Sequence, residues 1–168
     1  SRLYSVSPVD RLQLRLHGKG FFFDNARRKH GTLMHEVLSR IRTPKDIPAS
    51  VESYRLAGVI NREEAAELIS RLEELLQAEE VKAWYDGSAR VLNEVDILFG
   101  KGLSKRPDRV IIKGGKVIVV DYKFGERQDK RHPNQVRNYL QLIRKMGFER
   151  VDGYLWYVEL GKIEAVNK

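Results

Sequence analysis

Two β-rich runs meet at Gly114-Gly115, and that dipeptide limits what the chain around it can become. The first run is Pro107-Asp108-Arg109-Val110-Ile111-Ile112-Lys113, and the second is Lys116-Val117-Ile118-Val119-Val120-Asp121-Tyr122-Lys123. Glycine alone takes positive φ at both central turn positions without strain, so Gly-Gly between such runs predicts a two-residue hairpin. The turn also sets the register: Lys113 faces Lys116, Ile111 faces Ile118, and Asp108 faces Asp121. Directly opposed residues have Cβ atoms about 4.5–5.5 Å apart on one face. Alternation along the strand then puts Lys123 on the face of Asp121.

Two carboxylates at that separation repel unless a proton or a cation lies between them. A pair of oxygen ligands with an ammonium alongside suits a hard divalent cation and a phosphate. Phosphodiester hydrolysis calls for such a cation, a positioned water and often a lysine near the transition-state oxyanion. The competing reading is a surface hairpin carrying an Asp121–Lys123 ion pair, because Asp-x-Lys is a common tripeptide. The register opposite Asp108 separates the two readings. A valine-rich second strand also implies burial, which makes an unpaired Asp121 expensive.

The chain has 168 residues, a length that fits one domain with a real core. No apolar stretch reaches membrane-spanning length and no signal-peptide pattern opens the chain, so a soluble, cytoplasmic protein is expected. With no cysteine, disulfides, thiolate metal sites and iron–sulfur ligation are excluded within this chain. The formal charge is +8. Residues 61–80 hold seven Glu against Arg62 and Arg71, a local charge of −5, which leaves +13 on the other 148 residues. A basic body beside an acidic helix suggests a polyanionic partner, although basic domains also arise from solvation alone.

A helix is expected from Asp24 or Asn25 to about Arg42, with Leu33, Val37, Leu38 and Ile41 as its apolar stripe. Pro44 and Pro48 break the chain. Asn61-x-x-Glu64 opens a second helix in the manner of a capping box, with Leu68, Leu72, Leu75 and Leu76 buried and an end near Lys82. Arg90 to Phe99 reads as a strand. A Gly- and Lys-containing loop from Gly100 to Arg106 leads into the hairpin. The loop from Gly125 to His132 carries Arg127, Lys130 and Arg131. Pro133 and Gly147 bracket a helix through Met146, and Val151 to Leu160 forms a final strand. The order predicts an α/β (α+β) fold on a single sheet. No repeat and no phosphate-binding GxxxxGK[ST] loop is present, so nothing resembles an ATP motor.

Further candidates lie outside the hairpin. His35 sits mid-helix in Gly31-Thr32-Leu33-Met34-His35-Glu36-Val37-Leu38, with the small Gly31 one turn earlier on the same side. An imidazole there is a possible Mn²⁺ or Mg²⁺ ligand; taken singly, a helical histidine is more often a core or surface residue. Gln135 and Tyr139 share a helix face, placed to hold a nucleic-acid backbone or the hairpin lysine; alone, Tyr139 reads as a core aromatic. Glu94 and Asp96 share one strand face and point either to the acidic site and DNA or to solvent. Lys101, Lys105, Arg106, Arg109, Arg127, Lys130 and Arg131 flank the acidic end of the hairpin as candidate phosphate contacts, which position a nucleic acid without specifying sequence.

These residues together resemble the PD-(D/E)xK nuclease superfamily, and within it the RecB/AddA-like branch. Pro107-Asp108 followed by Asp121-Tyr122-Lys123 resembles the metal-binding core. Gly31-x-x-x-His35-x-x-Leu38 resembles the first motif, and Gln135-x-x-x-Tyr139 resembles the QxxxY motif. The resemblance spans residues 31 to 139 in family order. It implies a restriction-endonuclease-like core, a central mixed β-sheet flanked by helices, forming one domain over 1–168 with a helical insertion at about 44–82. It also implies Mg²⁺- or Mn²⁺-dependent cleavage of DNA in repair or recombination. By the same resemblance His35, Asp108, Asp121 and the Tyr122 carbonyl are metal ligands. Lys123 is catalytic, and Gln135 and Tyr139 position DNA or the active site. A helicase motor, in the same full-length chain or in a complex, is the implied partner, and the chain reads as excised from such a protein or as a stand-alone relative. The branches with a four-cysteine iron–sulfur cluster are excluded. The alternative is a catalytically silent nuclease-like module that only binds DNA or protein.

Overall fold

The computed structural model describes residues 31–93, 107–124, 129 and 131–166. They fall into two compact units divided between Glu79 and Glu80.

The first unit is helical. Residues 31–40 form α1, whose Val37 and Leu38 are fully buried, as is Ile41 just beyond it. A 3₁₀ turn, Pro44–Asp46, follows; the Asp46 carboxylate accepts from the amides of Arg42 and Thr43. Helix α2, Ile47–Leu56, then begins with Pro48 in its first turn. The two prolines had been expected to interrupt the chain. Pro48 instead sits where a helix leaves its amides without partners, so the missing N–H costs nothing. Helix α3, Arg62–Leu75, starts at the expected capping box: Asn61 Oδ1 accepts from the Glu64 amide and Glu64 Oε2 accepts from the Asn61 amide. It stops at Leu75, about two turns earlier than expected, and the short helix α4, Glu79–Lys82, follows a break.

The second unit is a five-stranded mixed sheet, β1 (Arg90–Asn93), β2 (Arg109–Lys113), β3 (Lys116–Lys123), β4 (Arg150–Tyr157) and β5 (Lys162–Val166), ordered as in the chain. Only β3 and β4 run parallel, and helix α5, Arg131–Lys145, makes the crossover between them. The α/β expectation of a mixed sheet with helices therefore holds. Gly114 and Gly115 have φ of 56° and 77°, and the hairpin register runs from Lys113↔Lys116 to Arg109↔Val120 as the turn requires. The last strand had been expected to continue to Leu160. It ends at Tyr157, turns through Gly161 at φ 60°, and returns as β5.

Val110 of β2 and Val117 and Val119 of β3, with Val151 and Leu155 of β4, pack against Val136, Tyr139, Leu140 and Ile143 of α5. Gly153 lies in that row. A Cβ there would stand 2.6 Å from Val136 Cγ1 and 3.0 Å from Leu140 Cδ1, so the bare backbone is what lets α5 settle on the sheet. The opposite face carries aromatics: Tyr122 meets Trp156 edge-on, and Trp84 packs on Tyr154 and Trp156. No helix among the described residues is long and apolar enough to cross a membrane.

Candidate active site

Asp121 continues the row of Val117 and Val119 along β3, so its side chain stands on the face that α5 covers. Asp108 lies one residue beyond the last ladder pair, where β2 has no further strand partner in the hairpin. Side chains close that gap. The Asp108 amide donates to Asp121 Oδ1 at 3.2 Å, and the Tyr122 amide donates to Asp108 Oδ2 at 2.8 Å. Each acid thus accepts a backbone amide from the opposite strand, which pins both side chains at the rim of the sheet.

Asp121 is 2% exposed. Burial, then the neighbouring Asp108 carboxylate, push its pKa up to about 7, against the pull of the Lys123 ammonium. A side-chain hydrogen bond with Asp108 acts in the same upward direction. The two acids therefore stand close enough that one of them holds a proton near neutrality.

Lys123 follows two residues later on the same face, its Nζ 3.4 Å from Asp121 Oδ2. The same Nζ donates to Gln135 Oε1 at 3.4 Å, and Gln135 Nε2 donates to the Tyr139 hydroxyl at 3.0 Å. Both helical residues come from the turns of α5 that seat against the sheet. Burial and the Asp121 and Asp108 carboxylates raise the Tyr139 phenol well above its ordinary value, so it stays protonated. A continuous polar path then runs from the acid pair through Lys123 and Gln135 to Tyr139.

Sequence reasoning passed over a histidine at this site. His132 opens α5, and its Nδ1 lies 3.3 Å from the Tyr157 hydroxyl. Burial and the Lys123 ammonium lower its pKa, which favours the neutral ring. Its sequence signal was its place three residues ahead of Gln135, one turn away.

The remaining candidates are distributed differently. His35 lies half-buried on α1 in the first unit, where its carbonyl accepts from Ser39 Oγ at 2.7 Å. Arg109 corrects an expectation. It is 0% exposed, donates from Nε and Nη2 to the Trp84 carbonyl at 3.1 and 2.9 Å, and lies 3.8 Å over the Tyr85 ring. A guanidinium so enclosed is not a phosphate contact. The error came from treating Arg109 by its position beside Asp108, although alternation puts it on the other face. Arg131 is exposed and forks onto Asp129, holding that carboxyl well below the usual range. Glu94, Asp96, Lys101, Lys105, Arg106, Arg127 and Lys130 lie outside the described residues.

Among the described residues no three His, Cys, Asp or Glu side chains gather as a metal cage. The donor set that is present, two opposed carboxylates at a sheet rim, fits Mg²⁺ or Mn²⁺, which take one or two carboxylates and complete their shells with water and substrate phosphate. A family model described as the PD-(D/E)XK nuclease superfamily matches residues 9–168. No curated protein matches the chain.

Proposed function

The chain belongs to the PD-(D/E)XK nuclease superfamily, and from that membership we propose that it is a divalent-cation-dependent deoxyribonuclease of RecB type. The observation that carries this reading is the position of Lys123 Nζ, 3.4 Å from Asp121 Oδ2 and 3.4 Å from Gln135 Oε1, beside the interlocked acids.

Asp108 and Asp121 would hold Mg²⁺ or Mn²⁺, with the Tyr122 carbonyl as a further ligand. When bound, the cation supplies charge neutralisation at the scissile phosphate and Lewis acidity toward an attacking water. Amide and carbonyl of one strand residue point to the same side, so the Tyr122 amide on Asp108 Oδ2 supports a carbonyl turned toward the acids. Lys123 brings its ammonium to the oxygen on which charge develops, and is held for that task by Gln135. Tyr139 keeps the Gln135 amide oriented, so that its oxygen rather than its nitrogen faces the lysine. Arg127, Lys130 and Arg131, with Glu94, flank the DNA path. A helicase motor that delivers DNA, and a place in DNA repair or recombination, complete the proposal.

Linear DNA incubated with Mg²⁺ or Mn²⁺ tests it. Wild-type protein degrades the DNA; Lys123→Ala and Asp108→Ala do not, yet still retard DNA in a gel. Absence of cleavage by the wild type with either cation, together with a gel shift indifferent to cations, would leave a binding module instead.

A further inference from the structure

The residues that follow the two site acids turn to the back of the sheet, and both end on the same dipeptide. Val110 and Val119 pack against α5, so Arg109 and Tyr122 stand on the opposite face. There Arg109 donates twice to the Trp84 carbonyl and lies 3.8 Å over the Tyr85 ring. The Tyr85 hydroxyl meets the Tyr122 hydroxyl at 2.6 Å. All three side chains are buried.

The links close a ring around the sheet end. Asp108 is joined by the chain to Arg109, Arg109 to the 84–85 segment, Tyr85 to Tyr122, and Tyr122 by the chain to Asp121. On the front, the Asp108 amide on Asp121 and the Tyr122 amide on Asp108 complete it. We propose that Arg109, Tyr85 and Tyr122 are positioning residues for the carboxylate pair, holding Asp108 and Asp121 at cation-sharing separation before a cation arrives. This rests on the divalent-cation reading of the site given above.

The physical case has two parts. Like charges at close range move apart when the backbone lets them, and a cation must then draw them together again at a cost to its affinity. A back-face clamp on the residue after each acid removes that freedom, as supporting residues do for other metal ligands. Further, enclosing a guanidinium is costly, and an apolar side chain of similar volume usually fills such a space with no loss of stability. An arginine whose fork and stacking tie two neighbouring segments to one strand end gives geometry that a methionine would not.

The full chain tests the idea through Mn²⁺ binding, measured by calorimetry or by the loss of the free-ion resonance signal. Asp121→Asn is the reference for binding at the pair. Tyr85→Phe keeps the ring beneath Arg109 and removes one hydroxyl. Tyr85→Phe with Tyr122→Phe removes both, so that no buried hydroxyl is left alone if the single variant fails to fold. The expected result is a folded double variant, by circular dichroism and a cooperative melt, whose Mn²⁺ affinity falls by about tenfold. Arg109→Lys, which keeps the charge and loses the fork, falls in the same direction. An unchanged Mn²⁺ affinity in a folded double variant, whatever its melting temperature, overturns the inference and leaves the assembly as core. Wild-type protein whose Mn²⁺ binding does not respond to Asp121→Asn overturns the carboxylate-pair reading itself.

Discussion

Lys123 is half-buried between Asp121 and Gln135, each 3.4 Å from its Nζ, a place where an ammonium does more than decorate a surface. Replacing it by alanine removes a positioned cation from the oxygen on which charge develops. The expected cost is about 10²–10³ in kcat on DNA, the range for one such donor, with DNA affinity within a fewfold of wild type; steady-state cleavage and gel retardation measure the two. Asp121 makes a different prediction, of stability. Its pKa rises on folding from the ordinary carboxyl value to about 7. In that window the native state binds more protons than the unfolded chain, so stability falls as pH rises. The metal-free protein is therefore most helped by this group below about pH 4, and has lost that contribution above about pH 7, by a few kcal/mol at about 1.4 kcal/mol per unit. Urea titrations at pH 5 and pH 8 check it: the wild type loses more stability than Asp121→Asn between them. Equal losses would mean that Asp121 does not take up the proton.

At the scale of the element, the site is an agreement between a hairpin and a helix. Gly153 is where that agreement is most exposed to change. A methyl group there would press on Val136 and Leu140, both between or beside the turns that carry Gln135 and Tyr139. Gly153→Ala is expected to cost about 1–3 kcal/mol, as overpacking does, and to lower cleavage beyond what the loss of folded protein explains, because Gln135 shifts from Lys123. Chemical denaturation alongside kcat at full folding separates the two effects. The hairpin was legible because Gly114-Gly115 leaves one turn geometry and one register. The capping box at Asn61 and the Gln135–Tyr139 face were legible because local spacing alone fixes them. Helix α2 was hidden because proline breaks an interior turn and suits a first one, and the letters alone do not say which applies. The last strand was hidden because Tyr157-Val158-Glu159-Leu160 reads as an unbroken β run until Gly161 is taken as its turn. The tie from Arg109 to Trp84 spans 25 residues. No period in the sequence reports a contact of that kind.

At the scale of the whole molecule, a net charge of +8 does not by itself say how many phosphates the protein meets. The salt dependence of DNA binding does, because each phosphate neutralised releases condensed counterion and steepens the slope of log K against log salt by about 0.9. Arg127 and Lys130 are proposed phosphate contacts; changing both to glutamine is expected to flatten the slope by about 2. Arg109 is buried against the Tyr85 ring, so Arg109→Lys should leave the slope unaltered even where it weakens Mn²⁺ binding. A second comparison separates contacts from overall field. Glu63, Glu67, Glu73 and Glu74 are exposed on α3; changing all four to glutamine lifts the net charge from +8 to +12. Association governed by net charge would then strengthen and steepen with the lost carboxylates. Association governed by Arg127 and Lys130 keeps its wild-type slope in the glutamine variant of α3, while the Arg127 and Lys130 variant loses part of it. Fluorescence anisotropy on one short duplex across a salt series, with Ca²⁺ in place of Mg²⁺ to limit cleavage, distinguishes them. A steeper slope in the glutamine variant with no change on losing Arg127 and Lys130 would refute those two as phosphate contacts.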